Sequence, residues 1–149
     1  MEESEQYILT FVLPYFYTHS MKVMVFGTFD DLHPGHRYLL DRASKRGELF
    51  VIVARDANVL KFKHRGPLQS QDERVKAIQD AYPDAHVTLG DAHGDYLAHI
   101  REVKPDLILL GYDQKLPPNV SVMDLGTKVD RLDAFEPEVH KSSLRRKKS

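Results

Sequence analysis

From Lys22 onward this chain sets short, almost wholly apolar runs between longer amphipathic stretches. A strand that is apolar on both sides of its pleat must be covered on both faces. "KVMVF" (Lys22–Phe26), "LFVIVA" (Leu49–Ala54) and "DLILL" (Asp106–Leu110) therefore belong inside a sheet flanked by helices. Such runs alternating with amphipathic segments make the pattern of βαβ units around a parallel sheet. The fold class is an open, doubly wound α/β sheet in three layers, α/β/α, whose ligands bind beyond the carboxyl ends of the strands.

The remaining elements follow from punctuation and spacing. Pro34 suits a first helical turn, and Tyr38, Leu39, Leu40 and Ala43 give that helix an apolar stripe ending at Gly47, a natural C′ residue. Arg55 to Arg65 reads as a basic loop leading to a turn at Gly66-Pro67. Asp72 to Tyr82 reads as a helix with Val75, Ile78 and Ala81 inward, stopped before Pro83. His86–Leu89 is a short strand, Tyr96–Val103 a helix, and Gly111 closes the strand begun at Asp106. Beyond it the pattern predicts a helix near Val120–Leu125, a strand near Val129–Phe135 and a last short helix starting at Ser142 or Ser143.

A length of 149 residues fits one domain, assigned here to 21–149. Residues 1–20 are expected to be an extension that packs or faces a second copy in a homodimer, or else to precede a native start at Met21. Their apolar stretch "YILTFVLPYFY" (Tyr7–Tyr17) is shorter than the roughly 20 residues that span a bilayer. It follows Glu2, Glu3 and Glu5 rather than a basic segment, so neither a secretory signal nor a membrane partner is expected. With 21 Lys+Arg against 22 Asp+Glu, the chain has no bulk positive field for nucleic acid. The absence of cysteine excludes disulfides and thiolate metal sites and fits a cytoplasmic setting.

Chemistry concentrates at three strand ends. In "GTFDDLHPGHRYLL" (Gly27–Leu40), Gly27 permits close backbone approach, Thr28 and Asp30 supply polar groups, and a helix begins at Pro34 with its free N–H groups facing the crevice. His33 and His36 both lie within reach of a ligand at that terminus. Alone they fit a phosphate site, a capping pair, or two ligands of a metal site completed by Asp30 or Asp113. The second end carries Lys61, Lys63 and Arg65, whose alternation on an extended loop points like charges the same way. The third is Gly111 to Gln114, where Asp113 and Gln114 offer polar groups to a base or ribose.

Gly27-Thr28-Phe29-Asp30, two residues, then His33-x-Gly35-His36 matches without a gap the GTFDxxHxGH signature, and the chain from Lys22 to about Arg145 resembles the cytidylyltransferase-like nucleotidyltransferases. The resemblance implies a Rossmann-like sheet, a bound nucleoside triphosphate with magnesium, and transfer of a nucleotidyl group to a phosphorylated acceptor with loss of pyrophosphate. It makes His33 and His36 catalytic donors to phosphate oxygens. Gly27, Thr28, Phe29, Asp30 and Gly35 become nucleotide-binding, with no metal ligand on the protein. By the same resemblance Lys61 is a catalytic lysine, and Lys63, Arg65, Arg74, Gly111, Asp113 and Gln114 bind nucleotide. The family's closing "ISSS" or "ISTT" helix is matched by "HKSSLRR", with Ser142, Ser143 and Arg145 in place and Lys141 where a hydrophobe is usual.

Within that family, "VIVARDANV", "KFKHRGP", "ER", "KPDLILLGYDQ" and the late "KSS" look most like the archaeal-type FAD synthases, which implies ATP and FMN as substrates. The glycerol-3-phosphate cytidylyltransferases, which use CTP, share the histidines but typically carry Asp-Trp where this chain has Asp113-Gln114. A nucleotide- or flavin-binding protein without catalysis is the third alternative.

Overall fold

The computed structural model describes residues 21–134. The expectations for residues 1–20, for the strand end at Phe135, and for Lys141, Ser142, Ser143 and Arg145 lie outside the described residues. Five strands form one parallel sheet: β1 (Lys22–Gly27), β2 (Glu48–Val53), β3 (His86–Leu89), β4 (Leu107–Leu110) and β5 (Lys128–Arg131). Their spatial order is β3-β2-β1-β4-β5. The chain builds outward from β1 to β3, then returns to the other side of β1, which makes the β1/β4 boundary the topological switch point.

Side-chain alternation puts both faces of the central strands into cores. Val23 and Val25 of β1, with Leu107 and Leu109 of β4, face one side, packed with Leu39, Leu40 and Ala43 of α1 (Pro34–Arg46) and Ile78 of α3 (Gln71–Ala81). Met24 and Phe26, with Ile108 and Leu110, face the other, against Ile100 of α4 (Ala98–Val103) and Leu125 of a 3₁₀ turn (Val122–Leu125). The layers are those of a Rossmann-like doubly wound fold, with the central strands apolar on both sides because both sides are covered.

The structure corrects several local expectations. Arg55–Arg65 is not a loop: Asp56–Lys63 is a helix, α2, with an acid in its first turn, Val59 buried, and His64 closing it at φ 60°. The Val120–Leu125 helix is reduced to the single 3₁₀ turn, and α4 begins at Ala98 rather than Tyr96. Gly47 ends α1 without the left-handed turn expected of it. At φ 165° it is extended, and a Cβ there would stand 2.1 Å from the Met21 carbonyl oxygen, so close chain packing is what requires glycine. On α3 the buried pair is Ile78 and Arg74, while Val75 is only partly covered.

Candidate active site

The two histidines are built into the start of α1. His33 is its N-cap, and the His33 Nδ1 accepts hydrogen bonds from the backbone N–H groups of Gly35 (3.1 Å) and His36 (3.3 Å). The His36 Nδ1 accepts in return from the His33 N–H (3.3 Å), so the pair forms a capping box from two imidazoles. Their rings stack with centroids 3.5 Å apart and 19° between planes. A Cβ on Gly35 would lie 3.0 Å from the His33 ring, which explains the small residue between them. An Nδ1 that accepts an N–H carries no proton, so each neutral ring holds its proton on Nε2. The cap thereby sets both tautomers and leaves two Nε2–H donors side by side at a helix N-terminus.

Phe29 holds His36 from beneath. It is 2% exposed, its ring meets the His36 ring edge-on at 5.4 Å, and its backbone sits at φ 53°. A Cβ on Gly27 would lie 2.8 Å from the Phe29 ring, so Gly27 makes room for that ring. Phe29 thus positions a histidine instead of lying open to a nucleotide. Asp30 also turns inward, where its carboxylate accepts from the Leu68 N–H (2.7 Å) and the Gln69 N–H (3.0 Å). Burial raises its pKa, but those two hydrogen bonds, with the charges of Arg74 and Lys63, hold it below the usual carboxylate value.

The change from loop to helix at α2 separates the basic residues. Positions two apart on a helix are roughly 200° apart around its axis, so Lys61 and Lys63 do not share a direction as they would on an extended chain. The charge of Lys63 acts on both His36 and Asp30. Lys61 lies over the neighbouring Phe62 ring, 5.9 Å from its centroid, and Arg65 is exposed beyond the helix. Of the two lysines, it is Lys63 whose charge is felt at His36.

Arg74 is fully buried and is engaged by protein groups. Its Nη1 donates to the carbonyls of Thr28 and Ala54 (2.8 Å each), its Nε to that of Gln69 (3.2 Å), and its Nη2 to the Asp56 carboxylate (2.6 Å). In place of a phosphate it grips the carboxyl ends of β1 and β2 and the starts of α2 and α3. Gln114 likewise does not face a base: its Oε1 accepts from the Gly111 N–H (3.0 Å) and its Nε2 donates to the Phe26 carbonyl (2.8 Å). Asp113 is exposed beside it. The loop after β4 is thus tied to the end of β1 across the switch point.

Residues 24–135 match the model of the cytidylyltransferase-like family. This chain belongs to that family. Among its relatives, an FAD synthase of Methanoculleus marisnigri is 48% identical over 95 residues, 63% of this chain and 62% of that one. An FAD synthase of Archaeoglobus profundus is 42% identical over 123 residues, 78% and 77% of the two chains. A solved structure titled as a lipopolysaccharide core biosynthesis protein from Thermoplasma volcanium GSS1 superposes with a TM-score of 0.67 at 34% identity, covering 78% of this chain and 98% of that one.

In this member of the family the signature residues divide into two groups. His33 and His36 present donors to the crevice, while Gly27, Phe29, Asp30 and Gly35 shape the turn that aims them. His36 is held neutral: burial first, then the charges of His33 and Lys63, bring its pKa from 6.5 to about 4. Between those two values the unfolded chain binds a proton that the folded chain refuses. The penalty on folding is absent above about pH 6.5 and grows as pH falls to about 4. Thermal midpoints of wild type and His36→Asn across that range test this. The wild type should lose stability faster on acidification, and parallel curves would contradict it.

One participant escaped the sequence reading. Arg131, at the end of β5, donates from Nη1 to the carbonyls of Gly111 (2.8 Å) and Gln114 (2.7 Å). Only its place at the end of a strand neighbouring β4 could have marked it, and that required the sheet order.

Proposed function

We propose that this chain transfers the adenylyl group of ATP to the terminal phosphate of FMN, forming FAD and releasing pyrophosphate. The observation that carries nucleotidyl transfer is the pair of Nε2–H donors fixed side by side at the α1 N-terminus. The choice of ATP and FMN is supported by relatives that are FAD synthases, one of them 42% identical over 78% of the chain.

An FMN phosphate oxygen attacks the α-phosphorus of ATP, the bond from that phosphorus to the bridging oxygen breaks, and pyrophosphate leaves with the electron pair. In-line displacement of this kind asks the protein for alignment and charge stabilisation, with no protein nucleophile. His33 and His36 donate to the phosphate oxygens from rings whose orientation costs nothing at the moment of reaction, because the cap has already set it. His36 can do so as a neutral imidazole. The Gly35 and His36 N–H groups are taken up by the His33 ring, so the α1 terminus contributes through the helix dipole, and Lys63 adds a positive charge that is felt at His36.

Magnesium suits a triphosphate, to which it binds while keeping several waters, and when bound it would neutralise phosphate charge. No group of three His, Asp or Glu side chains placed to hold a metal ion lies among the described residues. No helix among the described residues is long and apolar enough to cross a membrane.

The test is to incubate the protein with magnesium and ATP or CTP, with FMN or glycerol 3-phosphate, and to follow pyrophosphate release and FAD by chromatography. ATP with FMN is expected to give both products. Turnover only with CTP and glycerol 3-phosphate would reassign the substrates, and no release with any pair would reduce the chain to a binding protein.

A further inference from the structure

We infer that Arg131 is a positioning residue for nucleotide binding: from the end of β5 it clamps the Gly111–Gln114 loop into the shape that walls the crevice opposite the histidines. This role rests on nucleotidyl transfer being the activity of the chain. The loop follows β4 at the switch point, and two separate ties hold it. On the β1 side, the Gln114 amide bridges the Gly111 N–H and the Phe26 carbonyl. On the β5 side, Arg131 gathers the carbonyls of Gly111 and Gln114, with Tyr112 more distant at 3.4 Å.

The parallel register supplies the geometry. Leu110 pairs with Arg131, and the Leu132 N–H donates to the Leu110 carbonyl (2.9 Å), so the strand pairing continues to the point where the loop departs. A guanidinium launched there lies alongside the first loop residue and reaches both ends of the turn from one nitrogen. Its Nη1 faces the protein's carbonyls, the contact a loop clamp requires. Without it, those carbonyls would turn to water and the loop would have to be ordered by the ligand itself, a cost that appears as lost affinity.

The expected result is a split between binding and chemistry. For Arg131→Ala, the KM for ATP and its Kd by calorimetry should rise about tenfold while kcat stays within about twofold, since a pre-ordered loop affects binding more than chemistry. Arg131→Lys keeps a cation on the same strand end and guards against misfolding of the alanine variant. Its ammonium sits on a flexible stem without the pre-organised planar fork, so it should fall between wild type and alanine.

Salt separates a clamp from a direct phosphate contact. If Arg131 only holds the loop, the dependence of ATP binding on sodium chloride keeps its wild-type slope in both variants. A shallower slope would make Arg131 a phosphate ligand and overturn the inference. An unchanged KM in folded Arg131→Ala, or an equal fall in kcat, would overturn it as well. If the wild type binds neither ATP nor CTP, the nucleotide site itself fails first and takes this inference with it.

Discussion

Replacing His36 with asparagine should lower kcat for nucleotidyl transfer by about a hundredfold to a thousandfold, the usual loss when one pre-aligned donor to a transition-state oxygen is removed. Asparagine is chosen because its side-chain oxygen stands close to the position of Nδ1. It can still accept the His33 N–H that His36 now accepts at 3.3 Å, so the capping box survives while the Nε2–H is gone. His36→Gln places an amide donor near the Nε2 position, and its side-chain oxygen can reach back to the His33 N–H as glutamine does at N3 of a capping box. If the His36 donor is what matters, glutamine retains more activity than asparagine at comparable stability. Equal activity in the two variants would show that the ring serves the helix start alone. A variant with near wild-type kcat and a lowered thermal midpoint would say the same. Substitution by alanine removes both functions together and cannot separate them.

The parts of this site legible in the sequence are those fixed by neighbours a few residues away. The 33/36 spacing, the proline between, and the strand before them place two imidazoles at a helix start whatever the rest of the chain does. The central strands are legible because an unbroken apolar run has only one stable environment. What escaped depends on contacts distant in sequence. Arg74 looked like a phosphate ligand because its destination is set by β1 and β2 ending beside the start of α3, which places the Thr28 and Ala54 carbonyls within 2.8 Å of it. Gln114 looked free because its partner, the Phe26 carbonyl, lies 88 residues back. The α2 helix was hidden for another reason. It buries one residue, Val59, so no apolar period marks it, although the absence of glycine and proline from Arg55 to Arg65 was the available clue.

Arg74→Leu should lower the stability of the whole fold by about 3 kcal/mol, the scale of leaving several backbone acceptors without their donor at once. Three partly buried carbonyls, of Thr28, Ala54 and Gln69, lose the donor that Arg74 gives them, and the Asp56 carboxylate loses its cation. Leucine fills part of the volume and offers nothing to any of the four. Asp56 retains the Gln71 N–H (3.2 Å) and is 43% exposed in its side chain, so water can replace part of what it loses, whereas the carbonyls depend on Arg74. A loss of that size should shift the thermal midpoint by on the order of 10 °C and lower the urea midpoint in step. Arg74→Lys keeps the charge but cannot span four acceptors from one ammonium, so it should recover only part of the loss. Activity decides between a structural clamp and a phosphate ligand at this position. A clamp on the ends of β1 and β2 predicts that stability and kcat fall together, because the same carbonyls that anchor Arg74 set the turn beneath His36. A fall in nucleotide affinity with stability intact would instead return Arg74 to the phosphate site, and would mean that the buried arginine of this structure moves out to meet its substrate.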